Sequence, residues 1–191
     1  MELERARALV TSGVGVLFAG EPGVGKTRLL AETLDSLSER EWHTERFVAS
    51  AGTRRVAFGP LISLLPADAA DRTQQLAGVR RTLTERAKGR RTVLAVDDAH
   101  LLDDASLACL IDLAHHSDVV LLATARSTEP VPPDLTALWA SEIITRVDVE
   151  PLSRAATAAL VGLLLGGTIL DDLIDQVWER TRGVPLFVRE L

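Results

Sequence analysis

The 191-residue sequence has a single cysteine, no long apolar run and no excess of positive charge. That cysteine, Cys109, cannot form an intramolecular disulfide, and its apolar neighbours favour a buried structural role over that of a nucleophile. No apolar stretch reaches the roughly 18 residues of a membrane span, and no signal peptide is recognisable. These features predict a soluble, cytoplasmic protein that does not bind membranes.

The charge balance restricts the expected partners further. The formal net charge is −6, so we do not expect this chain itself to present a broad basic surface to DNA. The histidines give no metal-ligand pattern, because His115 and His116 are adjacent and would not share a face of a helix. The 47% hydrophobic and 25% charged residues are typical of a globular protein with a buried core.

One stretch near the N-terminus carries a phosphate-binding pattern. Residues 20–27 read GEPGVGKT and match the phosphate loop (Walker A) G-x-x-x-x-G-K-[ST] at every fixed position. The apolar run 14–19 predicts a buried strand before it, and leucines at helical spacing predict a helix after Thr27. Strand, glycine-rich loop and helix are the context in which this pattern binds nucleotide.

The chemistry of the loop explains its residue types. Glycines allow successive backbone N–H groups to point at phosphate oxygens, and the following helix N-terminus favours an anion. We expect Lys26 to contact the β- and γ-phosphates and the Thr27 hydroxyl to bind Mg²⁺. The predicted nucleotide-binding residues of this segment are Gly20, Glu21, Pro22, Gly23, Val24, Gly25, Lys26, Thr27 and Arg28.

A pair of carboxylates ends the second informative stretch. The apolar run 93–96 predicts a central parallel strand, and Asp97 and Asp98 follow it as an acidic box (Walker B). In α/β sheets ligands lie beyond the carboxyl ends of the strands, where the phosphate loop also ends. We therefore expect Asp97 to hold Mg²⁺, directly or through water, and Asp98 to position or deprotonate the attacking water. Thr124 and Arg126 end another apolar strand on the same side, and Arg126 is predicted to sense the γ-phosphate.

The alternation of strand and helix patterns predicts an α/β P-loop NTPase fold, with a five-stranded, mostly parallel sheet sandwiched by helices. Residues 1–150 are predicted to form this core, and residues 151–191 a helical extension that begins a lid or sensor subdomain. Residues 128–134 hold three prolines and predict a loop. The strands are expected at 14–19, 44–50, 93–96, 119–123 and 143–149, the last with the alternation of an edge strand.

Six short motifs occur in an order that resembles a known family. They are GEPGVGKTRLL from residue 20, AFGPL at 57–61, VDDAH at 96–100, ATARS at 123–127, VEPLS at 149–153 and GVPLF at 183–187. Nearly the whole chain is similar to the nucleotide-binding domain of large ATP-binding regulators of the LuxR type. These belong to the signal-transduction ATPases with numerous domains (STAND), a branch of the AAA-like P-loop ATPases.

The resemblance implies a switch that exchanges ATP and ADP and resets by slow, Mg²⁺-dependent hydrolysis. It assigns Asp98 to the second acidic position, Arg126 to the first sensor, and Pro185 to a proline that packs near bound nucleotide. Family members usually have a Gly-Arg element before the first helix that helps to hold adenine, and a C-terminal helix-turn-helix that binds DNA. Neither is present in these residues, so we expect a piece of a longer regulator that is monomeric in isolation.

Three alternatives remain open. A constitutive AAA-type motor or loader needs an arginine from a neighbouring subunit, for which Arg146 and Arg154 are candidates only by position. A P-loop phosphotransferase acting on a small molecule needs an acceptor pocket and a basic lid, and the basic pairs at 80–81 and 90–91 fit solvated surfaces better. A binding module without turnover would keep the same intact motifs.

Overall fold

The computed structural model describes residues 1–66, 71–116, 119–166 and 170–191. Its strands are β1 (Gly15–Gly20), β2 (Trp42–Val48), β3 (Arg91–Asp97), β4 (Val119–Arg126) and β5 (Ile144–Asp148). They form one sheet in the order β2-β3-β4-β1-β5, and every pairing within the described ranges is parallel. The predicted α/β P-loop NTPase fold is confirmed.

The helices cover both faces of the sheet. They are α1 (Glu2–Ser12), α2 (Lys26–Asp35), α3 (Arg72–Ala87), α4 (Asp104–His116), α5 (Pro133–Ala140), α6 (Arg154–Leu165), α7 (Asp171–Thr181) and α8 (Pro185–Glu190). Helices α1 and α2 share one core layer with the sheet, whereas α3, α4 and α5 share the other. Helices α6, α7 and α8 pack on each other around a small core of Val161, Ile174 and Val188. None of the helices in these ranges combines the length and apolarity needed to cross a bilayer.

The strand order brings the predicted site residues to one edge. Strand β1 is buried along its whole length between β4 and β5. In the register of β1 and β4, Gly20 lies opposite Arg126, and β3 lies on the other side of β4. Because all five strands run in the same direction, the ends of β1, β3 and β4 meet at the carboxyl edge of the sheet.

Helix α5 corrects the sequence interpretation. Residues 128–134 were expected to form a loop, but a helix begins at Pro133 and buries Leu135 and Leu138 against the sheet. Proline is compatible with the first turn of a helix, so Pro133 does not prevent one. The helix has only eight residues, which is too short for the helical spacing of its apolar residues to be recognised in the sequence. Strand β4 also runs further than predicted, so Thr124 and Arg126 belong to its last residues.

Local caps explain several boundaries. The Ser153 side chain accepts a hydrogen bond from the Ala156 N–H and begins α6. The Asp103 carboxylate accepts bonds from the N–H groups of Ala105 and Ser106 and begins α4 in the same way. The sequence pattern also predicts a helix from about residue 70 to 88 and a helix break at the glycines 166–167, and residues 70 and 167 lie outside the described residues.

Candidate functional site

The loop between β1 and α2 has the backbone that the phosphate-loop pattern requires. Gly23 and Gly25 have φ values of 82° and 104°, in the left-handed region that favours glycine. The Lys26 ammonium donates hydrogen bonds to the carbonyl oxygens of Gly20 at 3.0 Å and Glu21 at 2.8 Å. Burial lowers the pKa of Lys26, while Asp98 opposes that shift. The lysine is thus held within the loop at the N-terminus of α2.

The residues predicted to bind Mg²⁺ lie next to each other. The Thr27 hydroxyl donates a hydrogen bond of 3.0 Å to Asp97 Oδ1. Octahedral Mg²⁺ with ligands at 2.0–2.1 Å places neighbouring oxygens about 2.9 Å apart, so this spacing suits the ion. A hydroxyl and a carboxylate are also the hard oxygen donors that Mg²⁺ prefers.

A buried threonine contacts the Asp97 carboxylate and the Asp98 backbone. The Thr124 hydroxyl donates to Asp97 Oδ1 at 2.6 Å and accepts the Asp98 backbone N–H at 2.8 Å. Thr124 is 0% exposed, so it faces the acidic pair from inside the protein and not the ligand side. One hydroxyl therefore orients Asp97 and fixes the backbone at Asp98, whose φ of 55° is left-handed.

Asp98 and Arg126 face each other beyond the strand ends. Arg126 Nε lies 3.9 Å from Asp98 Oδ1, and its Nη1 donates to Glu129 Oε1 at 3.1 Å. Both Asp98 and Arg126 line a cavity of about 690 Å³ that also contains Lys26 and Thr27. Cavities of this size are typical of small-molecule and cofactor sites.

Most of the predicted residues line this cavity. Its wall includes Pro22, Gly23, Gly25, Lys26, Thr27, Arg28, Asp98, Arg126 and Pro185. The others support it: Val24 is buried in the core, and Asp97 lies behind Thr27. Gly20 and Glu21 contribute the carbonyl groups that hold Lys26.

The comparison with known proteins agrees with this geometry. The family described as AAA domain matches residues 10–129, which include the phosphate loop, the acidic pair and Arg126. The chain belongs to the AAA domain family. This AAA domain is accordingly a nucleotide-binding P-loop ATPase domain. No curated protein matches the chain.

Solved structures share the fold of this AAA domain. Two mutant forms of RuvB from Thermotoga maritima are similar to it with TM-scores of 0.60 and 0.59 at 20% and 19% sequence identity. The similarity covers 99% and 98% of this chain but only 57% and 56% of those proteins. The chain thus spans somewhat more than half of their length, and at this identity the likeness concerns the fold alone.

Several residues of the AAA domain's cavity escaped the sequence analysis. Arg46 on β2 lines the cavity, and its Nη2 lies 3.6 Å from Asp97 Oδ2. Leu160, Leu186 and Arg189 line the cavity from the helical region. Only the alternation of β2 could have marked Arg46, since it places that residue on one face of the strand. The other three reach the cavity through contacts far apart in the sequence.

The helical region is attached directly to the phosphate loop. The Leu186 N–H donates to the Gly23 carbonyl at 3.3 Å, which places the N-terminus of α8 on the loop. Gly183 has a φ of 74°, and its carbonyl accepts the Leu152 N–H at 2.8 Å. Pro185, between these two contacts, lines the cavity.

Two further kinds of reactive site were considered for this AAA domain, a cysteine nucleophile and a cluster of metal ligands. Burial raises the pKa of the Cys109 thiol to about 12, so the thiolate nucleophile is disfavoured at neutral pH. Within the described ranges, no three His, Cys, Asp or Glu side chains cluster as a metal site.

Proposed function

We propose that this AAA domain is an ATP- and ADP-binding switch of a multidomain transcriptional regulator of the LuxR type, with slow Mg²⁺-dependent ATP hydrolysis. The main support is that the phosphate loop and the helical region wall the same cavity. A ligand shifts a conformational equilibrium only as far as it interacts differently with the two states. A nucleotide that touches both Gly23 and the start of α8 could make that difference.

The cavity residues suggest individual roles. The loop N–H groups and Lys26 bind the phosphates, with Arg28 and Pro185 flanking them. Thr27 and Asp97 hold Mg²⁺, which neutralises charge on the phosphate oxygens. Asp98, which lines the cavity and whose backbone is held by Thr124, positions or deprotonates the attacking water. Arg126 reaches the γ-phosphate from β4.

The proposal extends to the rest of the protein. Residues 1–150 would form the ATPase core, and residues 151–191 would begin a sensor subdomain, as the separate core of α6, α7 and α8 suggests. DNA binding would belong to a helix-turn-helix elsewhere in the full-length protein. We expect the isolated domain to be a cytoplasmic monomer that does not bind membranes.

The arginines considered for other functions are engaged elsewhere. Arg146 pairs with Asp148 and lies over the Trp139 ring, and Arg154 pairs with Asp175 on the helical region. Neither Arg146 nor Arg154 lines the cavity of this chain. The basic pairs at 80–81 and 90–91 do not line the cavity, which gives no support to a phosphotransferase.

Binding and turnover can be measured on one sample. We expect calorimetry to show binding of Mg·ADP and Mg·ATP, and single-turnover hydrolysis to be far slower than about one per second. Lys26→Ala should abolish binding, while Asp98→Asn should keep binding and slow hydrolysis by about 10²–10⁴-fold. Rapid multiple turnover would instead indicate a motor, and no binding by the wild type would contradict the proposal.

A further inference from the structure

The proposed sensor arginine, Arg126, pairs with Glu129, a residue outside the sequence motifs. Glu129 Oε1 lies 3.1 Å from Arg126 Nη1, closer than the 3.9 Å between Arg126 Nε and Asp98 Oδ1. The Glu129 N–H also approaches the Arg126 carbonyl at 3.4 Å, in a turn that folds the glutamate back over the end of β4. The Arg126 guanidinium thus has a carboxylate partner in the turn that directly follows its own strand.

The second oxygen of Glu129 faces a buried histidine. Glu129 Oε2 lies 3.6 Å from His100 Nε2, and His100 Nδ1 lies 3.9 Å from Asp98 Oδ1. The His100 side chain is 0% exposed, and neither ring nitrogen has a hydrogen-bond partner in the part of the chain that the structure describes. His100 therefore borders the space between Asp98 and Glu129 and limits where the Glu129 carboxylate can move.

Glu129 and a γ-phosphate would present the same chemistry to Arg126. Both are anions with oxygen acceptors, and the planar guanidinium binds either through its fixed N–H donors. Arg126 also lines the cavity that contains Lys26 and Thr27, the residues expected to contact the phosphates and Mg²⁺. Contact with a γ-phosphate would require the guanidinium to share or leave Glu129.

We propose that Glu129 competes with the γ-phosphate of ATP for Arg126 and so reduces the preference of the site for ATP over ADP. This inference rests on the proposed nucleotide switch and assigns to Glu129 an effect on the relative affinity of the site for ATP and ADP. The Arg126 and Glu129 side chains are 40% and 39% exposed, so the pair is partly screened by solvent. Partly exposed pairs of this kind change equilibria by about two- to fivefold.

The test compares Glu129→Gln with the wild type by titration calorimetry. The ligands are Mg·ADP and the Mg²⁺ complex of the non-hydrolysable β,γ-imido analogue of ATP. We expect the variant to bind the triphosphate about two- to fivefold more tightly while ADP affinity changes less, because ADP lacks the competing group. Glu85→Gln is the matched control, since Glu85 pairs with Arg81 on α3 away from the cavity.

A second arm removes the arginine and separates competition from simple charge repulsion. In an Arg126→Gln background, Glu129→Gln should no longer change the ratio of the two affinities. An effect that persists there, or equal changes for both nucleotides, would overturn the competition. Wild-type binding without any response to Glu129→Gln would overturn this inference alone. Failure of the wild type to bind either nucleotide would overturn it together with the proposed function.

Discussion

Replacing Thr124 with valine should destabilise the protein far more than its single lost hydroxyl suggests. Valine has nearly the same shape, so the change removes the hydroxyl without opening a large cavity. The hydroxyl donates to Asp97 Oδ1 at 2.6 Å and accepts the Asp98 N–H at 2.8 Å, and Asp97 is only 6% exposed. The substitution therefore leaves a buried carboxylate short of a donor and a backbone N–H without its acceptor.

The magnitude follows from those two losses. A hydrogen bond to a charged group contributes about 1.5–3 kcal/mol, and an unsatisfied buried donor costs about 1–3 kcal/mol. Together we expect a loss of about 3–5 kcal/mol in the free energy of unfolding. With a urea dependence of about 2 kcal/mol per molar, the midpoint of denaturation should fall by about 1.5–2.5 M.

Two further variants control the measurement. Thr33 is also 0% exposed, but its hydroxyl only donates to the Leu29 carbonyl within α2. Thr33→Val should therefore cost about 1 kcal/mol, and Thr124→Ser, which keeps the hydroxyl, about the same. The reasoning is refuted if urea denaturation shows Thr124→Val to be no more costly than Thr33→Val. Should Thr124→Val not fold while both controls do, the large cost stands.

Two other predictions concern stability. A Cβ added at Gly183 would lie 2.0 Å from the Leu152 carbonyl oxygen at a φ of 74°, so Gly183→Ala should cost about 2–4 kcal/mol by thermal or urea unfolding. The matched change Gly89→Ala, at a φ of 81° with nothing within 4 Å, should cost about 1–2 kcal/mol, and equal losses would contradict the role of the contact. Burial lowers the pKa of His100 from 6.5, opposed by Glu129 and Asp98, so the unfolded chain binds this proton first as the pH falls. Stability should therefore decline from about pH 6.5 towards the lower folded-state pKa, and a His100→Gln variant with an undiminished decline would show that another group is responsible.

The phosphate loop was predictable because the residues that define it are consecutive in the sequence. The strand, the glycines and the helix start follow one another in the sequence, and φ above zero at Gly23 and Gly25 is a local backbone demand. The acidic pair was predictable for a similar reason, since it directly follows an apolar run. Pairing these two segments needed only the rule that ligands lie beyond the carboxyl ends of parallel strands.

Helix α5 shows where local pattern fails. Its start is hidden among three prolines, and only Leu135 and Leu138 mark its buried face. A helix of this length gains its stability mainly from packing on the sheet and not from its own propensity. Sequence alone therefore favoured a loop up to residue 134 and predicted no element for the rest of α5.

The roles of side chains within the site depended on the tertiary structure. Thr124 stood at the right strand end in the sequence, but only the adjacency of β3 and β4 turns its hydroxyl toward Asp97. The same adjacency brings His100, which follows β3, next to Glu129, which follows β4. The contact of Glu129 with Arg126 is instead local, because the two residues are three apart in the sequence.

The sequence by itself determined the fold class, the phosphate loop and the acidic pair, because hydrophobic period and glycine placement act over a few neighbouring residues. The tertiary structure alone decided which side chains meet at the cavity. Arg46 reaches Asp97 from the next strand, and Leu186 reaches Gly23 from the far end of the chain. Such contacts form only when long segments pack together, so their energy depends on the whole sheet and its helices and not on any local pattern.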